Sequence, residues 1–128
     1  MACTNDKFVI NKGLSNEFTF TIKQNDSTLP MTIETSDTFE ATLYKLEDNS
    51  VVGTANMTNG MNGQITVYDA SNGQIKLVLK DALVDTLELE RGAKADYYYA
   101  KAMYRMAIEC NTTNNGNFIA KVDKVYVR

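Results

Sequence analysis

The clearest folding signal in the chain is residues 95–110, ADYYYAKAMYRMAIEC. At a period of two, one face from Tyr98 onward carries only small, apolar or aromatic side chains, namely Tyr98, Ala100, Ala102, Tyr104, Met106, Ile108 and Cys110. Seven such positions in succession are typical of a long strand lying over a hydrophobic core. The segment therefore predicts the central strand of a sheet, around which the other strands are arranged.

The opposite face of the same segment carries an aromatic and basic stripe made of Tyr97, Tyr99, Lys101, Met103 and Arg105. Aromatic rings interleaved with basic groups can stack and steer single-stranded nucleic acid. The same residue types are enriched in the cores of protein–protein interfaces, and they also occur where neighbouring side chains cover a mid-sheet strand. The formal net charge of −3 disfavours nucleic acid, which needs a cationic surface. We therefore take the five residues as candidates for a protein interface.

Alternating apolar residues predict further strands on both sides of this segment. Residues 17–23 place Phe18, Phe20 and Ile22 on one face, and residues 39–43 lead through a turn to a return strand at Val51. Leu29-Pro30 removes a ladder donor, so any strand at residues 31–33 should lie at a sheet edge.

Turn and helix signals complete the pattern. Asn62-Gly63 and Asn72-Gly73 each precede alternating β-formers, which predicts a local meander. Leu83, Val84 and Leu87 have helical spacing, with Asp81 as the expected cap of a short helix. The last strand, residues 118–128, changes phase near Asp123-Lys124, which indicates a bulge. About eight short strands, with one helical turn before the long penultimate strand, predict an antiparallel β-sandwich over residues 1–128, as one domain.

Composition places this chain of 128 residues among soluble globular proteins, with 44% hydrophobic and 23% charged residues. No apolar run is long enough to span a bilayer, and the start lacks a signal-peptide core, so folding in the cytoplasm without a membrane partner is expected. Cys3 and Cys110 are accordingly not expected to pair.

The residues that usually carry chemistry are missing or scattered. The chain has no histidine, only two cysteines and no phosphate-binding glycine motif. The carboxylate pairs Asp81 with Asp85 and Glu88 with Glu90 fall in polar segments that we expect to be solvated. Residues 69–73 (DASNG) could be an oxygen-rich calcium loop, but the same residues are the standard ones of a hairpin turn, which we prefer. We therefore predict no enzyme activity, no cofactor and no metal.

Several of these segments together resemble the small immunoglobulin-like domains of tailed-phage virions, in particular the N-terminal module of upper baseplate proteins. The resemblance lies in the order of five elements, which are FTFTI at residues 18–22, Leu29-Pro30, residues 39–43, NGQIKL at residues 72–77, and Tyr97-Tyr98-Tyr99 ahead of a final Val125-Tyr126-Val127. It implies an immunoglobulin-like sandwich and no catalytic residues.

The resemblance further implies a virion structural protein that assembles by protein–protein contacts on the tail, neck or capsid surface. Its partners would be other virion proteins and copies of itself, its location would be the virion, and its synthesis would take place in the host cytoplasm. The alternative is a β module that binds carbohydrate or single-stranded nucleic acid through Tyr97, Tyr99, Lys101 and Arg105.

Overall fold

The computed structural model of the protein describes residues 8–24, 28–89 and 102–128. These residues form eight strands, one short α-helix and one 3-10 turn (Ala70–Asn72). The elements are β1 (Phe8–Ile10), β2 (Asn16–Thr21), β3 (Thr38–Lys45), β4 (Val51–Ala55), β5 (Gly63–Asp69), β6 (Gln74–Leu79), α1 (Asp81–Val84), β7 (Tyr104–Thr112) and β8 (Gly116–Val127).

The strands form two sheets with the topology of an immunoglobulin domain. One sheet has the order β1-β8-β7-β3-β4 and the other the order β2-β6-β5. In an immunoglobulin sandwich the third, sixth and seventh strands share one sheet, while the second, fifth and fourth share the other. Here β3, β7 and β8 correspond to the first set and β2, β6 and β5 to the second, with β4 added beside β3. All ladders are antiparallel except that between β1 and β8. The predicted immunoglobulin-like sandwich is thus confirmed.

Strand β7 occupies the middle of the five-stranded sheet, as predicted for the central strand. Tyr104, Met106, Ile108 and Cys110 are all at most 1% exposed, which confirms the predicted inner face over these residues. The strand begins at Tyr104 and continues past Cys110 to Thr112, and Ala102 is buried ahead of it. The predicted strand residues 95–101 lie outside the described part of the chain.

The short helix predicted from the spacing of Leu83, Val84 and Leu87 is α1, and it bridges the two sheets. It follows β6 of the smaller sheet, and a methyl group of its Leu83 lies against Gly53 of β4 in the larger one. Leu83, Val84 and Leu87 are all buried. The predicted cap was wrong by one position, because extended Lys80 precedes the helix and Asp81 is its first residue.

The predicted meander was only half right. Asn72-Gly73 closes the hairpin between β5 and β6, but Asn62-Gly63 lies where the chain crosses from β4 in one sheet to β5 in the other. Gly63 has a φ of 156° and lies so close to the Val78 carbonyl that a Cβ would clash with it. This glycine therefore allows two backbones to approach closely, rather than forming a hairpin turn.

Two further predictions concern the bulge in the last strand and the possible edge strand at residues 31–33. Tyr104 pairs with Val125 and Met106 with Val122, so β8 has one extra residue at the predicted bulge. Residues 31–33 form no strand, and Pro30 makes only an isolated bridge with Lys23, beyond the end of edge strand β2.

One end of the sandwich is held by a buried carboxylate. Asp37 is 3% exposed and accepts hydrogen bonds from the backbone N–H groups of Glu34 and Thr113, each at 2.9 Å. Asn114 Nδ2 of the β7–β8 loop also donates to the Thr32 carbonyl at 2.7 Å. The β2–β3 connection and the β7–β8 loop are therefore joined by hydrogen bonds.

Candidate functional site

The candidate site is the surface of the five-stranded sheet that points away from the core, which we call the outer face. Its centre is built from alternate residues of β3 and β7, which are Glu40, Thr42, Tyr44, Arg105, Ala107 and Glu109. The ladder places Tyr44 opposite Arg105, Thr42 opposite Ala107 and Glu40 opposite Glu109. Successive side chains of a strand point to opposite faces of the sheet. The residues between these six point into the core, so the six side chains share the outer surface.

At one end of the outer face, Arg105 stacks on Tyr44. The guanidinium carbon lies 4.0 Å from the centroid of the ring, within the range of a cation–π contact. Arg105 Nε also donates to Asn49 Oδ1 at 3.2 Å. Asn49 has a φ of 58°, in the left-handed region, in the turn between β3 and β4. The turn thus fixes the amide that orients the arginine.

At the other end of the outer face, Glu40 and Glu109 are opposite one another and both are exposed. Like charges in direct cross-strand register are destabilising. The two carboxylates border a groove of about 330 Å³, whose other lining residues are Thr38, Phe39, Asn56, Met57, Thr58 and Asn111. Neither glutamate has a cationic partner among the described residues.

Between the two ends, neighbouring positions on β7, β3 and β4 carry small side chains. Ala107 and Thr42 are half-buried and opposite each other, and Thr42 also faces Thr54 of β4. On the other side, Ala107 pairs with Lys121 of β8. Small side chains in three adjacent positions leave room for a second surface to approach.

The predicted stripe is only partly represented in this site. Arg105 lies on the outer face as predicted, whereas Met103 packs against the core. The reason is that Met103 precedes the first residue of β7, so the strand alternation does not apply to it. Tyr97, Tyr99 and Lys101 lie outside the described residues. The stripe did not include Tyr44, Asn49, Glu40 or Glu109, although Glu40 and Tyr44 alternate with the buried residues of β3.

Residues 69–73 form a hairpin turn, as preferred over a calcium loop. The Asp69 carboxylate accepts hydrogen bonds from Asn72 Nδ2 at 2.8 Å and Ser71 Oγ at 3.0 Å. These side chains, Asn72 first, lower the pKa of Asp69 below its usual value of 3.8. Both carboxylate oxygens therefore already have partners within the turn. No group of three or more acidic, cysteine or histidine side chains suited to a metal occurs in residues 8–24, 28–89 and 102–128.

We expect an NMR titration midpoint below 3.8 for Asp69 and a higher midpoint in Asn72→Ala, because the lost bond favours the charged form. A lowered pKa means that these bonds stabilise the fold above pH 3.8 and that this contribution disappears as the pH falls through the folded-state pKa. Asp48 is an internal control, since Ser50 lowers its pKa and Asn72 does not contact it. A spectral change at Asp69 with roughly 5 mM calcium would contradict the turn assignment.

The remaining candidate groups in the described residues are a buried thiol and exposed carboxylates. Burial raises the pKa of the Cys110 thiol to about 11, so it is protonated near neutral pH, and Sγ lies 3.5 Å from the Ile108 carbonyl. Asp81 and Asp85 are exposed, in agreement with their predicted solvation. Cys3 and Glu90 lie outside the described residues.

The comparisons with known proteins concern the fold alone. No protein-family model matches the sequence, and neither does any curated protein. The chain is similar to the solved ZIG-8–RIG-5 IG1–IG1 heterodimer, with 11% identity, a TM-score of 0.39 and coverage of 97% of this chain and 84% of that one. It is also similar to the ZIG-8 IG1 homodimer, with 11% identity, a TM-score of 0.37 and coverage of 99% and 85%. Within the described residues, no helix is both long and apolar enough to cross a membrane.

Proposed function

We propose that this protein is a non-enzymatic structural subunit of a tailed-phage virion, which assembles on the tail, neck or capsid surface through protein–protein contacts. The phage assignment is supported by the resemblance in the order of elements described above. The contact role is supported by the outer face. Its partners in this proposal are other virion proteins and copies of the same chain.

The observation that carries the contact role is the Arg105–Tyr44 pair. Arginine and tyrosine are among the residues that contribute most to binding at interfaces. Fixing a flexible side chain on association costs about 0.5–1.5 kcal/mol. Here Arg105 is already stacked on Tyr44 and hydrogen-bonded to Asn49, so a partner meets an ordered group. The outer face therefore combines a preorganised anchor with small side chains between its two ends.

The same pair is less suited to the alternative function of binding single-stranded nucleic acid or carbohydrate. Such ligands stack on an aromatic face, and the Arg105 guanidinium already covers one face of Tyr44. Glu40 and Glu109 on the same surface would repel a phosphate backbone. Fluorescence titration with oligonucleotides and glycans is expected to give no saturable change, and saturable binding would support the alternative.

The virion assignment is tested on particles. Purified virions from the phage that encodes this chain should contain the protein in a constant ratio to the major tail or capsid protein, as measured by quantitative mass spectrometry. Antibody labelling in electron microscopy should place it at one site on the particle. Its absence from gradient-purified particles would refute the virion role.

A further inference from the structure

We propose that the outer face docks onto the outer face of a second copy of the same chain, with the strands of the two sheets running in opposite directions. This inference rests on the proposed contact role of the outer face. In a single copy, Arg105 lies at one end of the outer face, and Glu40 and Glu109 lie at the other end.

The two ends are separated along the strand by a defined distance. Arg105 and Glu109 are four residues apart on β7, about 13 Å at roughly 3.3 Å per residue. Ala107 lies midway between them. A two-fold axis in the plane between two facing sheets, crossing the strands at Ala107, would bring Arg105 of each copy over Glu109 and Glu40 of the other.

The charges distinguish this arrangement from the other symmetric one. A two-fold axis parallel to the strands would place Arg105 against the same residue of the second copy, and the glutamates against glutamates. A symmetric pair uses the same patch on both subunits, so the patch must be complementary to itself. Only the axis across the strands gives opposite charges at both ends.

The repulsion between Glu40 and Glu109 in a single copy would be relieved in the proposed dimer. Glu40 and Glu109 face each other without a cation among the described residues, beside a groove of about 330 Å³. An arginine from the second copy would enter between two carboxylates, each able to accept its N–H groups. Ala107, Thr42 and Thr54 at the centre are small enough for the sheets to approach to about 10 Å. Lys121, opposite Ala107 on β8, would lie beside Lys121 of the second copy at the axis, so the two long side chains would have to extend apart toward the rim.

The test is sedimentation equilibrium of the full chain at low salt. The protein concentration is raised to roughly 100 µM so that even a weak dimer is populated. The wild type is expected to dimerise, and added salt is expected to weaken the dimer. Arg105→Glu should weaken association at least about ten-fold, because it brings three carboxylates together. The double variant Arg105→Glu/Glu109→Arg should restore it, because each new arginine meets the new glutamate of the other copy.

The control is Lys76→Glu, which makes the same change in net charge on the outer side of the smaller sheet. Lys76 pairs with Glu17 at 2.8 Å, far from the outer face, so this variant should dimerise like the wild type. Thermal melts should show that all variants are folded. A monomeric wild type at the highest concentration, or Arg105→Glu dimers as strong as the wild type, would refute the self-docking.

A monomeric Arg105→Glu that the double variant does not rescue would refute the antiparallel arrangement. The self-docking and the virion role can fail separately. A monomer that is nevertheless a constant component of purified virions refutes only the self-docking. A dimer that is absent from the particles refutes only the virion role.

Discussion

Replacement of Gly73 by alanine is expected to lower the free energy of unfolding by about 3–5 kcal/mol. Gly73 has a φ of 65° and a ψ of 25°, in the left-handed region. A Cβ at this position would lie 2.6 Å from both the Ile22 and the Met31 carbonyl oxygens. Those oxygens belong to backbone, and Met31 N–H donates to the Ile22 carbonyl at 2.8 Å, so neither can move without breaking other contacts.

The matched control is Gly116→Ala. Gly116 has a φ of 69°, nearly the same as that of Gly73, but apart from its chain neighbours no atom lies within 4 Å of the position of its added Cβ. Its replacement should therefore cost only the conformational term, about 1–2 kcal/mol. Urea unfolding followed by circular dichroism measures both. Equal losses for the two variants would mean that the close approach at Gly73 contributes nothing.

Tyr104→Ala is expected to destabilise the protein by about 3–5 kcal/mol, as for other large aromatic truncations in a core. Tyr104 is 1% exposed, and its hydroxyl oxygen accepts a hydrogen bond from Glu88 N–H at 2.7 Å. The ring therefore anchors the chain after α1 to the centre of the larger sheet. Tyr104→Phe keeps the ring but removes that acceptor, so we expect a smaller loss of about 1–3 kcal/mol. Thermal and urea unfolding of both variants separate packing from hydrogen bonding.

Tyr44→Ala is the control for Tyr104, since it removes a half-buried tyrosine from the outer face of the adjacent strand. It should leave the monomer within about 1 kcal/mol of the wild type and weaken self-association. Tyr99→Ala, outside the described residues, is likewise expected to leave the monomer stable and to weaken assembly. A larger loss of monomer stability for Tyr44→Ala than for Tyr104→Ala would mean that the two faces are assigned the wrong way round.

Most of the structural features that the sequence predicted follow from the alternation of apolar and polar residues within single strands. The inner face of β7 follows from a period of two, and the bulge in β8 follows from a change of phase at Asp123-Lys124, so both are visible within one strand. The role of Asn62-Gly63 could not be predicted in this way. An Asn-Gly pair indicates a bend, but the sheet that β5 and β6 join depends on the pairing of β6 with β2, which is a non-local choice.

The site was less predictable than the fold, for a related reason. Arg105 was identified from its own strand, but the Tyr44 ring beneath it and the Glu40–Glu109 opposition depend on the register between β3 and β7. Nothing within either strand fixes that register. Met103 was misassigned because a sequence pattern does not show at which residue a strand begins.

The parallel ladder between β1 and β8 determines how the fold would respond to a pulling force. Three residue pairs, Phe8 with Val125 through Ile10 with Val127, run side by side in the same direction. Lys12 and Arg128 extend the ladder with backbone bonds of 2.7 and 2.9 Å. Tension applied at Phe8 and at Val127 would slide the two strands past each other, so that all these bonds bear the load together instead of opening one by one. The first and last of the described strands thus form a mechanical clamp against tension applied along them.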